Sequence, residues 1–86
     1  MAEQKIGVVT HYFGKIGVAA LKITDGELRV GDTIRFEGHT SDFTQTVDSM
    51  QVEHEPVEVA RKGDEIGLKG AEYVRENDAV YKVTPD

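Results

Sequence analysis

The side chains best able to do chemistry are three histidines, a few serines and a surplus of carboxylates. Metal binding, acid–base work and acyl transfer are therefore the first chemistries to weigh. His11, His39 and His54 lie far apart in the chain, and no pair has the i, i+4 spacing that places two imidazoles on one helix face around zinc. His39 and Asp42 could meet across a loop, but the ligand count a metal requires is not visible. Glu53-His54-Glu55-Pro56-Val57-Glu58 reads as an acidic, solvated patch. Ser41 and Ser49 lack the context of an activated nucleophile. There is no cysteine, which removes thiolate zinc sites, thiol nucleophiles and disulfides together. The expectation is no catalytic residue, no metal and no cofactor.

What remains is binding. The 86 residues carry 10 Lys and Arg against 16 Asp and Glu, a net charge of −6. Proteins that grip nucleic acid by broad phosphate neutralisation show the opposite sign, so any RNA contact must use a small local set of residues. Lys15, in the turn Gly14-Lys15-Ile16-Gly17, can reach a phosphate without disturbing a core. Lys22, Arg35, Lys69 and Lys82 alternate outward on strands. They form a modest basic stripe or pair with the surplus carboxylates, each exposed pair worth at most about 1 kcal/mol. Tyr12, Phe13 and Tyr81 are candidates for stacking on bases. In a chain without tryptophan, however, the first expectation for Phe13 is packing.

Short strands must position these groups. Ile6 to Phe13 and Val18 to Ile23 are apolar, β-branched segments joined by a glycine turn. Ala19, Leu21 and Ile23 share one face of the second, with Lys22 on the other. After the turn at Thr24-Asp25-Gly26-Glu27, Thr33 to Glu37 sends Ile34 and Phe36 inward and Arg35 outward. Gly38 to Asp42 is a polar loop. Phe43 to His54 is the longest extended stretch, and the step from Val47 to Met50 breaks its two-residue period, as a bulge near Asp48-Ser49 would. Glu55-Pro56 interrupts the ladder, Val57 to Arg61 fits a single helical turn, and Ile66 to Lys69 and Val80 to Val83 are the last strands. Six or seven short strands predict an all-β fold: a small closed or nearly closed antiparallel barrel, one domain over residues 1–86 with its core at about 6–83 and short polar termini. No apolar run approaches the roughly 18 residues of a membrane span. The polar N-terminus lacks a signal-peptide core, so a cytoplasmic location with no membrane contact is expected.

One signal occurs three times. Gly31-Asp32, Gly63-Asp64 and Asn77-Asp78 each stand directly before an apolar segment. The first residue of each pair is suited to a positive φ, and the aspartate to accepting backbone N–H groups across the turn. The unequal gaps make this one turn used repeatedly, not a solenoid repeat.

In order, Gly14-Lys15, Asp25-Gly26-Glu27-Leu28-Arg29-Val30-Gly31-Asp32, Arg61-Lys62-Gly63-Asp64-Glu65-Ile66-Gly67-Leu68 and Arg75-Glu76-Asn77-Asp78-Ala79-Val80 resemble the second domain of elongation factor Tu and its relatives among translational GTPases. Asn77 stands where that family usually has glycine. FTQTV (Phe43 to Val47) and EPVEVAR (Glu55 to Arg61) resemble the C-terminal barrel of the U32 family of collagenase-like peptidases. The first resemblance implies a translation-protein β-barrel. No G-x-x-x-x-G-K-[ST] loop is present, so no nucleotide-triphosphate site is expected.

In elongation factor Tu the second domain helps hold the aminoacylated CCA end of tRNA. The resemblance implies that the turn from Gly63 to Gly67 forms part of such a pocket, with Asp64 as its acidic residue near the terminal adenosine. Glu65 replaces the usual asparagine, adding a charge and removing an amide donor. Lys15 stands where the family has an arginine. The candidate RNA- or partner-binding residues are thus Lys15, Arg35, Asp64, Glu65 and Gly67. Two functions follow. One is a non-catalytic translation-factor-like module contacting tRNA, rRNA or a ribosome-associated factor, placed ahead because its resemblance spans the chain. The other is a protein-interaction module without RNA affinity, acting in trans with a U32-peptidase-like or other partner, which the acidic balance favours.

Overall fold

A computed structural model describes residues 2–39, 42–70 and 72–84; Ser41 and part of the loop from Gly38 to Asp42 lie outside them. The described residues form ten strands and no helix: β1 Ala2–Phe13, β2 Val18–Ile23, β3 Glu27–Arg29, β4 Thr33–Glu37, β5 Asp42–Thr46, β6 Met50–Val52, β7 Glu55–Val57, β8 Val59–Arg61, β9 Glu65–Lys69 and β10 Ala79–Thr84. Eight of them make one antiparallel sheet in the order β5-β4-β10-β1-β2-β9-β6-β7, and β3 pairs with β8 separately. The sheet curls into a barrel without closing strictly. β5 and β7 are its ends, and the Gln45 side-chain amide donates to the Lys69 carbonyl at 2.9 Å, tying β5 to β9.

The alternation read from the sequence sets the inside. Ala19, Leu21 and Ile23 on β2, Ile34 and Phe36 on β4, and Ile66 and Leu68 on β9 are all buried. Each large one contributes about 1.5–3 kcal/mol of burial. Two irregularities bend the long β1: its register against β10 shifts between Lys5 and Gly7, and against β2 between Val9 and His11. Such bulges increase local twist and let one strand serve two curving neighbours.

The turn used three times is a clamp. Each copy begins with an arginine: Arg29 to Asp32, Arg61 to Asp64 and Arg75 to Asp78. The third residue has a positive φ, 97° at Gly31, 96° at Gly63 and 73° at Asn77, as a type II turn requires. The aspartate N–H donates to the arginine carbonyl (3.0, 2.9 and 3.2 Å), and its carboxylate accepts the arginine N–H in return (2.8, 2.9 and 3.0 Å).

Each turn then grips one buried residue from another strand or crossing. The third residue donates to that residue's carbonyl, and that residue's N–H donates to the aspartate carbonyl. The gripped residues are Val47, Ile23 and Val9, with all six bonds between 2.8 and 2.9 Å. The sequence reading of these aspartates as turn acceptors is borne out, and the grip on a distant core residue is new.

The structure corrects the element list in several places. Phe43 to His54 is not one bulged strand. β5 pairs with β4, β6 pairs with β7 and β9, and the chain crosses between sheet positions at Val47, which the first clamp holds. Val57 to Arg61 is not helical, because Glu58 is a bend between β7 and β8. Pro56 does not break the ladder. It lies in β7 opposite Gln51, at the sheet's edge, where a missing N–H costs no bond. Ten strands replace six or seven because β3, β6, β7 and β8 are only three residues long.

Candidate functional site

Outward-facing residues of the middle strands meet in rows. His11, Ala20, Gly67 and Gln51 are successive register partners across β1, β2, β9 and β6. A second row runs Phe13, Val18, Lys69, and a third Val8, Lys22, Glu65. Where Ala20 meets Gly67 the surface has almost no side chain, so the row sinks. The β1–β2 hairpin, whose last pair is Phe13 and Val18, runs past the sheet on one side. The Glu53-His54 turn between β6 and β7 rises on the other.

The result is a groove of about 730 Å³, lined by Phe13, Ile16, Val18 and Ala20 toward the hairpin and by Gln51 to His54 and Gly63 to Gly67 opposite. Its hairpin wall is apolar and open to water: Phe13 is 46% exposed and Ile16 65%. Phe13 is therefore not core, contrary to the packing expectation, because the bulge between Val9 and His11 turns Tyr12 toward the core and leaves Phe13 outward beside His11. Its ring meets His11 edge-on at 4.5 Å, and the His11 Nδ1 lies 3.2 Å from Glu76.

The opposite wall is acidic. Glu53 and Glu65 are exposed. Asp64 lines the groove too, but its carboxylate already accepts the Arg61 N–H. Glu53 and His54 have φ of 51° and 66°, which gives the two-residue β6–β7 hairpin the paired positive angles of a type I′ turn. Neither is glycine or asparagine, so the rim carries backbone strain.

Of the five residues singled out in the sequence, Asp64, Glu65 and Gly67 come together in this groove. Lys15 is exposed at the hairpin tip beside Ile16, next to the groove but outside its lining. Arg35 is elsewhere, on β4 beyond β10 and β1. It is engaged by three carboxylates: Glu3 at 2.9 Å, Glu37 at 2.8 Å and Asp42 at 2.9 Å. The Asp42 and Glu3 hydrogen bonds raise its pKa further, and Arg35 in turn holds Asp42 below the usual carboxylate range. Asp42 thus pairs with Arg35. The basic stripe loses a second member as Lys82 turns to Asp32 at 3.3 Å.

Sequence reasoning missed Ile16, Val18, Ala20 and His54 as groove residues, and offered Phe13 as a stacking candidate while expecting it first to pack. The signal available was Ile16, an isoleucine in a glycine turn with no strand face to bury it. Tyr12, the other stacking candidate on β1, meets Tyr73 edge-on at 4.7 Å.

Comparison with known proteins gives three kinds of match. The family model described as elongation factor Tu domain 2 covers residues 17–80, a span that starts just after Lys15. An uncharacterized protease of Methanocaldococcus jannaschii is 40% identical over 78 residues, 90% of this chain and 19% of that protein. A collagenase of Porphyromonas gingivalis is 37% identical over 78 residues, 90% of this chain and 22% of that one. The chain thus spans about a fifth of the length of the curated relatives it matches.

Among solved structures, the C-terminal domain of a Geobacillus thermoleovorans protein assigned to the U32 peptidases matches with a TM-score of 0.87 at 21% identity, over 94% of this chain and 93% of that one. Its selenomethionine variant matches at 0.84 and 21%, over 90% and 96%. At that identity the likeness is one of fold. Both resemblances drawn from the residues recur in these matches.

Proposed function

Because the chain belongs to the elongation factor Tu domain 2 family, we propose that it is a non-catalytic binding module whose groove over Ala20 and Gly67 receives a segment of protein. The observation that carries this reading is the make-up of the groove. Exposed Phe13 and Ile16 face Glu53, Asp64 and Glu65, and no lysine or arginine belongs to the lining. An exposed apolar patch with a polar rim is the usual form of a protein contact. A nucleic-acid end would bring phosphates against carboxylates without a cation between them. A U32-peptidase-like protein is the partner proposed, since the relatives of known sequence are called protease and collagenase.

One observation favours RNA instead. The family match includes Gly63 to Gly67, and exposed Lys15 stands beside the same groove. Amide titration of 15N-labelled protein separates the two readings. With the catalytic region of a U32 peptidase lacking its own C-terminal domain, shifts are expected at Phe13, Ile16 and Gly63 to Gly67. Silence at those amides, together with shifts on adding a short CCA-ended RNA at low salt, would replace the protein reading with the RNA one.

A further inference from the structure

The two walls of the groove ask for different things from one ligand. The hairpin wall leaves Phe13 and Ile16 in water, and covering them is favourable in proportion to the apolar area removed. On the opposite wall, Glu53 and Glu65 hold no ion pair among the described residues. Lys22 is the cross-strand partner of Glu65 but makes no ion pair with it. Lys62 neighbours the lining residue Gly63 without joining the lining. The groove thus places uncompensated negative charge beside open apolar surface.

The Glu53-His54 turn points the same way. Asn-Gly suits a two-residue type I′ hairpin, because both central residues need positive φ. Here a glutamate and a histidine take those angles against their steric preference. Strain kept at the rim of a groove is a pointer to function in the side chains that bear it.

We infer that the groove recognises a polypeptide segment that sets a lysine or arginine beside an apolar side chain. The apolar group seats over Ala20 and Gly67 against Phe13 and Ile16. The aliphatic stem of the basic residue runs along the same wall, and its charged head reaches Glu53 and Glu65. This inference rests on the protein-binding reading and adds the charge and composition of the partner segment.

An array of immobilised ten-residue peptides, varying charge (Lys/Arg, neutral, Glu) and apolar content (Leu/Phe or Ser) independently, tests it with the fluorescently labelled chain. Retention is expected on peptides that are both basic and apolar, falling several-fold between about 50 and about 300 mM salt. Gly67→Val fills the floor and should cost tenfold or more. A Cβ there meets only Val18 Cγ1, at an ordinary 3.5 Å, and an amide spectrum of the variant checks that the fold is kept. Glu53→Gln with Glu65→Gln should weaken binding to basic peptides several-fold and leave neutral ones unchanged.

Equal or better retention on neutral or acidic peptides would overturn the charge rule. If Gly67→Val still abolished that retention, the protein-binding reading would stand. No retention on any peptide would overturn the inference, leaving the titration with the U32 catalytic region to decide the wider reading. Preference for a CCA-ended RNA over every peptide would overturn both.

Discussion

Asp78 is 7% exposed, the one buried charged residue among those described, and its carboxylate carries the third clamp by accepting the Arg75 N–H at 3.0 Å. Gly38 lies against it so closely that any Cβ there would overlap the carboxylate. Asp78→Ala removes the acceptor and should cost about 1–3 kcal/mol; Gly38→Ala displaces it and should cost about as much. Because both act on the same carboxylate, urea unfolding of the double variant should show less than the sum of the two losses. Arg35 gives a residue-scale prediction of another kind. Its guanidinium holds the Asp42 carboxyl below the ordinary range, so on acidification the unfolded chain takes up that proton first. The contribution is complete at neutral pH, starts to fade below about pH 4 and is gone beneath the folded pKa. Asp42→Asn should therefore be less stable than the parent at pH 7, and the gap between their urea midpoints should narrow as pH falls below about 4.

At the scale of elements, the β6–β7 hairpin sets stability against recognition. Replacing Glu53-His54 by Asn-Gly relieves two positive-φ side chains and should raise stability by about 1–2 kcal/mol, measured by thermal or urea unfolding. The same change removes a rim carboxylate and should weaken retention on basic peptides, a trade familiar where strain serves function. This hairpin also shows where the sequence stopped being legible. The three turns were visible because Gly-Asp and Asn-Asp state a backbone requirement locally, and their grip on Val47, Ile23 and Val9 was not. Burial of Leu21, Ile34 and Phe36 was visible because a two-residue period has one inside. The three-residue strands were not, since β3 finds its partner β8 some thirty positions away and too few residues alternate to show a period. Val57 to Arg61 looked helical because the bend at Glu58 puts two apolar runs out of phase. Of the site, Asp64, Glu65 and Gly67 were legible through resemblance. The hairpin wall was not, because exposure of Phe13 depends on the bulge after Val9, which reverses the faces of the strand and leaves no local mark in the sequence.

Across the whole molecule, most sheet neighbours are far apart in sequence: β10 lies between β1 and β4, and β9 between β2 and β6. Such topologies close long loops before any contact rewards them, so refolding in milliseconds to seconds is expected by stopped-flow fluorescence of the tyrosines. Removing 79–84 takes out a strand from the middle of the sheet, and the remainder should show no cooperative unfolding transition. The clamps have a consequence for how freely this chain can change. Each fixes one buried residue of a strand or crossing through main-chain atoms, and the only letters it spells out are a residue at ease with positive φ and an aspartate after it. Everything the clamp grips is gripped by N–H and C=O, which every residue but proline supplies. The spelling of the barrel is therefore short. Most of its surface can be rewritten while three two-letter words keep Val9, Ile23 and Val47 in place, leaving groove walls free to drift on an unchanged frame.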